Sequence, residues 1–274
     1  MTEQKIDQPH PRRINLKIWA AIIVLGLAAL MSYFVLDERV FSWLCQHRSN
    51  WQKNNWLQAF TLLGKGWVLI WLLLCWMWAT GRHRPALIAI LVLLLVLPAV
   101  MSLKGIVQRQ RPADIVKVHS RAEDRNYLVR SWSFPSGDTA AVFAVATALA
   151  SFVRWPWGLT FFTVASSIGI LRVVVLAHYP SDVCGGAAIG MLISWLASQI
   201  ASRCQLPELS GFNWYRAIAA AGVILIPALL WLHEGIEQLL TFLKTYGVLV
   251  VGIYIVAKGG VWLKRLRKRD PCNY

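Results

Sequence analysis

The stretch Ser133–Ala140 reads SFPSGDTA, a proline-serine-glycine turn that opens onto a long apolar run. The turn residues predict a helix start, and the run behind them, Pro135–Val153, is long enough to be a membrane span. A carboxylate, Asp138, therefore stands at the mouth of a membrane helix, where ionisable side chains are costly and usually functional.

The composition of the whole chain suits a bilayer. Its 274 residues are 57% hydrophobic and only 15% charged, with 15 tryptophans, which disfavours a soluble domain. A hydrocarbon core of about 30 Å needs about 20 helical residues. Eight runs approach that length: Ile18–Leu36, Phe60–Thr80, Pro85–Leu103, Pro135–Val153, Trp157–Leu176, Val183–Ile200, Ala217–Leu232 and Leu240–Leu263. Lys65 interrupts the second, and Lys244 and Lys258 the last. The expected fold is all-α: a polytopic bundle with a cytoplasmic N-terminus (1–17), a six-span core (18–200) and a C-terminal extension (201–274) with two further spans and a basic tail.

The net charge of +15 is distributed as membrane topology demands. Lys5, Arg12, Arg13 and Lys17 precede the first span, Arg82 and Arg84 follow the second, and KRLRKR closes the chain at 264–269. Alternating spans put these cations on one side, which the positive-inside rule makes cytoplasmic, with both termini inside an inner (plasma) membrane. The basic tail then serves topology, with a weak pull on anionic lipid, and nucleic acid is not an expected partner. Cysteines form no evident disulfide framework, and oligomeric state is not legible.

One outer loop breaks the pattern. Lys104–Phe134 carries Lys104, Arg109, Arg111, Lys117, Arg121, Arg125 and Arg130 against Asp114, Glu123 and Asp124. A bound polyanion would justify cations on the outer face. PSGD (135–138) and LRVVVLAHYPSD (171–182) are separated by about one helical hairpin, so both return to that face. Arginine forks and an ammonium suit a tetrahedral phosphate. The Ser136–Gly137 turn presents backbone N–H groups at a helix N-terminus. His178 is positioned in sequence to attack phosphorus, with Asp182 four residues on to hold its tautomer.

At these residues the chain resembles the type 2 phosphatidic acid phosphatase superfamily, the integral-membrane lipid phosphate phosphatases. The signature of that family runs K-x6-R-P, P-S-G-H and S-R-x5-H-x3-D. KGIVQRQRP (104–112), PSGD (135–138) and LRVVVLAHYPSD (171–182) follow it in order over 79 residues. The resemblance implies that Lys104, Arg111, Ser136, Gly137 and Arg172 bind the substrate phosphate. It implies that His178 is the nucleophile and Asp182 its partner; no other histidine or carboxylate is spaced as a metal site, so no metal or cofactor is expected. Two positions depart: Leu171 replaces a serine, and Asp138 replaces the histidine that resembles the family's general acid.

Three readings of Asp138 stand side by side. It is a helix N-terminal residue favoured by the dipole; or a substitute acid whose proton is held by the substrate's charge; or a sign that the reaction needs little acid. The last holds if the leaving group is a phosphate, whose second pKa is about 6, rather than an alkoxide. His119 is a further, remote acid candidate. The expected function is hydrolysis of a lipid phosphate or diphosphate at the outer leaflet through a phosphohistidine, with undecaprenyl diphosphate as first substrate. Lipid A, phosphatidylglycerophosphate and a lipid phosphoryl acceptor are alternatives. A non-catalytic anionic-lipid binder or transporter is the alternative of another class.

Overall fold

A computed structural model describes residues 11–47, 60–61, 63–80, 83–115, 132–153, 155–203 and 214–234. The described residues are helical, without strands: α1 (Pro11–Val35), α2 (Asp37–Gln46), α3 (Gly66–Thr80), α4 (His83–Val107), α5 (Gly137–Ala150), α6 (Trp155–Val174), α7 (Pro180–Arg203) and α8 (Trp214–Glu234). Leu240–Leu263, His119 and the cations from Lys117 to Arg130 lie outside the described residues.

Seven of the eight expected spans correspond to helices, but by length and apolarity three of the described helices are able to cross a membrane unaided: Leu16–Val35, His83–Val107 and Pro180–Ile200. The shortening has local causes. Pro135–Val153 contracts to the 14 residues of α5 because Ser136 caps it, its hydroxyl accepting from the Thr139 N–H at 3.4 Å. At about 1.5 Å per residue that helix covers only about 21 Å. It need not reach lipid, for Thr139–Ala148 are all buried. Within the span expected from Phe60, residues 60–61 are helical, a turn follows at 63–65 and α3 begins at Gly66, so Lys65 precedes α3 rather than interrupting it. The short helix α2 has no counterpart among the expected spans.

The chain divides into two compact units, Met1–Gly66 with Ile88–Gln205, and Trp67–Leu87 with Leu206–Tyr274. In the first, α7 packs against α1, α2, α5 and α6. Val92, Val96 and Val100 of α4 pack on Ala140 and Ala144 of α5 and Ala197 of α7. The α5 backbone reaches α7 because Gly186 and Gly190 carry no side chain: a Cβ on Gly186 would lie 2.5 Å from the Ser136 carbonyl oxygen, and one on Gly190 would collide with that of Ala140. In the second unit α3 and α8 meet, with Trp71 Nε1 donating to the Val223 carbonyl at 3.1 Å. Outward faces of α1 and α4 expose Ile23, Leu27, Leu30, Leu94, Leu97 and Met101 by more than half. Such broad apolar exposure is that of a membrane-embedded protein.

Candidate active site

Three backbone hydrogen bonds bring the polar segments together at one end of the first unit. Ser133 N–H donates to Arg109 O at 2.7 Å, Ser136 N–H to Asp182 O at 3.0 Å, and Ala113 N–H to Leu176 O at 3.0 Å. The second joins two motifs directly; the other two tie Ser133 and Ala113, one or two positions outside a motif, to the motif segments 104–112 and 171–182. Phe134 fits under α7 because Gly185 is a glycine; a Cβ there would meet the ring at 2.6 Å.

His178 is buried, 2% exposed, in the connection between α6 and α7. Burial pushes its imidazole down to about 4, against the opposing pull of Asp182 and with help from the charges of Arg111 and Arg172. The ring is thus neutral at physiological pH. Its Nδ1 faces Asp182 Oδ2 at 3.7 Å, longer than a hydrogen bond, and Ser133 Oγ at 3.5 Å. Ser133 donates to the same Asp182 oxygen at 2.5 Å, and the Tyr179 N–H donates to it at 2.8 Å. With Nδ1 turned toward the carboxylate, Nε2 is the nitrogen left for chemistry. Bonds of this kind are often loose in unliganded sites and tighten around substrate.

The cations gather around this histidine. Lys104, buried near the end of α4, donates to the Trp132 carbonyl and, at 3.4 Å, to that of Ser133. Burial first, then the like charge of Arg172, hold the Arg111 guanidinium below its ordinary range. Two guanidiniums near enough to repel concentrate positive charge that an anion would relieve. Arg172 is 7% exposed, and its Nε is buried with no hydrogen-bond partner. Ser136 is fully buried and its hydroxyl is engaged as the α5 cap, also 2.8 Å from Thr139 Oγ1. Gly137 opens α5, and a Cβ there would press on Val100 at 3.3 Å.

Asp138, in the first turn of α5, is not the cap. One of its oxygens, Oδ2, meets Arg172 Nη2 at 2.9 Å and Lys65 Nζ at 3.6 Å. It is an ion-pair acceptor joining two cations. Sequence alone gives Lys65 no part in the chemistry, yet the turn ahead of α3 sets it at the mouth of the site.

Two more residues are not singled out by the sequence motifs. Arg109 Nη1 donates to Ser181 Oγ at 2.7 Å and Asp182 Oδ1 at 3.0 Å, while Nη2 donates to Asp37 Oδ2 at 2.7 Å. Its guanidinium also lies 3.9 Å from the Tyr179 ring centroid. Asp37, 2% exposed, further accepts from Ser32 Oγ and the Ser181 N–H, both at 3.0 Å, and from Ser181 Oγ. These bonds pin α2 over the site, where Val40, Phe41 and Leu44 line the same small cleft as His178. An acidic residue at the outer end of the first span was the available signal for Asp37; the flanking glycines of Gly64-Lys65-Gly66 were the signal for Lys65.

Comparison with known proteins bears out the motif resemblance. Residues 85–205 match the PAP2 superfamily. The chain is 46% identical over 85 residues to a lipid A 1-phosphatase of Porphyromonas gingivalis, covering 30% of this chain and 19% of that protein. It is 43% identical over 75 residues to a lipid A 1-phosphatase of Rhizobium johnstonii, covering 27% and 30% respectively. A mouse glucose-6-phosphatase 3 is 40% identical over 68 residues, 22% of this chain and 20% of that one. The matched segments thus span less than a third of the length of these relatives. Among solved structures, a transmembrane PAP2 type phosphatidylglycerolphosphate phosphatase from Bacillus subtilis superposes with a TM-score of 0.48 at 23% identity, over 73% of this chain and 98% of that one.

Proposed function

We propose that this chain is a membrane phosphatase that moves a phosphoryl group from a lipid phosphate or diphosphate to His178 and then to water. The site would face the outside of an inner membrane with both termini within. Lys104, Arg111 and Arg172 hold the phosphate oxygens, with the Ser136–Gly137 backbone beside them. His178 Nε2 attacks phosphorus, forming a P–N bond as the P–O bond to the lipid side breaks; Asp182 and Ser133 orient the ring and favour the charge it gains. Water then breaks the P–N bond and releases inorganic phosphate.

The observation that carries this reading is the unpartnered, buried Nε of Arg172, beside a neutral histidine and a second guanidinium. Buried N–H donors require acceptors, and phosphate oxygens supply them in the geometry guanidinium prefers. A non-catalytic anion binder would have no need of the His178–Ser133–Asp182 arrangement.

A lipid diphosphate, with a polyprenyl diphosphate as first choice, suits a site whose residue 138 is tied into ion pairs rather than free to donate a proton. Lipid A phosphate is the second reading, favoured by the relatives from Porphyromonas and Rhizobium. The test is phosphate release by the purified protein in detergent with EDTA, from a polyprenyl diphosphate, lipid A and phosphatidylglycerophosphate, with His178→Ala alongside. Release that vanishes in the variant supports the reading. Release from none of the three, or release that survives His178→Ala, overturns it.

A further inference from the structure

Asp138 links the inside of the site to its mouth. Exposure rises stepwise along the chain of charges: the Arg172 side chain is 9% exposed, Asp138 15% and Lys65 41%. The turn carrying Lys65 is seated on Asp138 itself, since a Cβ on Gly64 would lie 2.8 Å from Asp138 Cβ. That turn is closed by Leu63 N–H to Phe60 O and Gly64 N–H to Thr61 O, both at 3.2 Å. Lys65 is therefore a positioned cation, held by a carboxylate that also holds a phosphate-site arginine. Its ammonium nevertheless keeps a solvent-facing side, with donors to spare beyond the one 3.6 Å contact.

We propose that Lys65 is a second phosphate-binding cation, which takes the lipid-side phosphate of a lipid diphosphate while Arg172, Arg111 and Lys104 hold the terminal one. This rests on the phosphatase reading above and names its substrate class. As His178 Nε2 forms the P–N bond, the bond from the terminal phosphorus to the bridging oxygen breaks and its electron pair leaves on that oxygen. The departing lipid monophosphate has a second pKa of about 6, so it needs no proton. It gains a negative charge, which a fixed ammonium stabilises. Asp138 positions that ammonium. A lysine held by a carboxylate thus takes the place of an acid that an alkoxide leaving group would need.

The experiment compares kcat/KM for farnesyl diphosphate and farnesyl monophosphate in the full-length protein, for the wild type, Lys65→Ala and Lys65→Arg. The diphosphate-to-monophosphate ratio is expected to fall about tenfold or more in Lys65→Ala and to recover in Lys65→Arg, as loss of a charge-assisted contact to one phosphate predicts. A second arm measures binding of inorganic pyrophosphate and orthophosphate to His178→Ala protein, with and without Lys65→Ala. Pyrophosphate affinity should drop about tenfold relative to orthophosphate. An unchanged ratio in the binding arm overturns the proposal, as does an equal loss for both substrates. A wild type that hydrolyses neither farnesyl compound defeats the phosphatase reading on these substrates, and the binding arm then still decides the role of Lys65.

Discussion

Arg109 and Asp37 form an ion pair at 2.7 Å that fastens a helix outside the matched family segment to the carboxylate behind His178. The same guanidinium reaches Asp182 at 3.0 Å. Two carboxylates, buried to 2% and 0% exposure, thus share one cation. Removing one partner of such a pair strands the others in a low dielectric, at about 3–5 kcal/mol. Arg109→Ala is expected to lower the thermal midpoint sharply in detergent. Arg109→Lys should recover only part of it, because one ammonium does not reproduce a fork spanning two carboxylates. A midpoint in Arg109→Ala equal to that of the parent protein would remove this account.

Ser133 donates to Asp182 and lies between it and the histidine ring. Ser133→Ala deletes a hydrogen bond to a charged group, about 1.5–3 kcal/mol, while leaving the backbone bond from Ser133 N–H to Arg109 O intact. The expected result is a kcat lower by about ten- to a hundredfold with little change in KM. A change confined to KM would assign Ser133 to substrate binding instead.

The pH dependence follows from burial of the histidine. In the proposed role of nucleophile His178 must be neutral, and burial depresses its ionisation from 6.5 to about 4. Activity should therefore stay level as pH falls through 6.5 and decline only on approaching about 4. An acid limb near 6.5 in kcat at saturating substrate, distinct from the substrate phosphate's own second pKa of about 6, would show that the ring is hydrated in the working enzyme.

Gly190→Ala introduces a methyl where α7 meets the Ala140 carbonyl of α5, which is backbone and cannot rotate away. Overpacking of this kind costs typically about 1–3 kcal/mol. The matched control is Gly26→Ala in α1, where nothing lies within 4 Å of the new Cβ. Helix propensity there favours alanine by up to about 1 kcal/mol. Thermal midpoints should move in opposite directions; equal shifts would show that α5 and α7 are not packed this closely.

The helices were readable from the residues because repeated apolar runs of about 20 residues suit a bilayer and little else, and the turn at Pro135–Gly137 marked the α5 start within two residues. The motif residues Lys104, Arg111, Arg172, His178 and Asp182 were readable because their spacings repeat a known pattern. Lengths were less legible. Hydropathy extends a span through its caps, whereas Ser136 and the Gly64–Gly66 turn end helices by hydrogen bonding and backbone conformation.

From the amino-acid order alone come the all-helical membrane class, the three polar segments and the anomaly of aspartate at position 138, since each depends on composition and near-neighbour spacing. The meaning of that aspartate came only with the tertiary structure. Asp138 is 73 residues from Lys65 and 34 from Arg172 along the chain, yet one of its oxygens lies within 3.6 Å of both cations. Arg109 likewise reaches back 72 residues to Asp37 and forward 73 to Asp182. Ionic attraction between side chains acts over a few ångströms of space, and hydropathy along a helix carries no record of which charges the packing of other helices will bring that close.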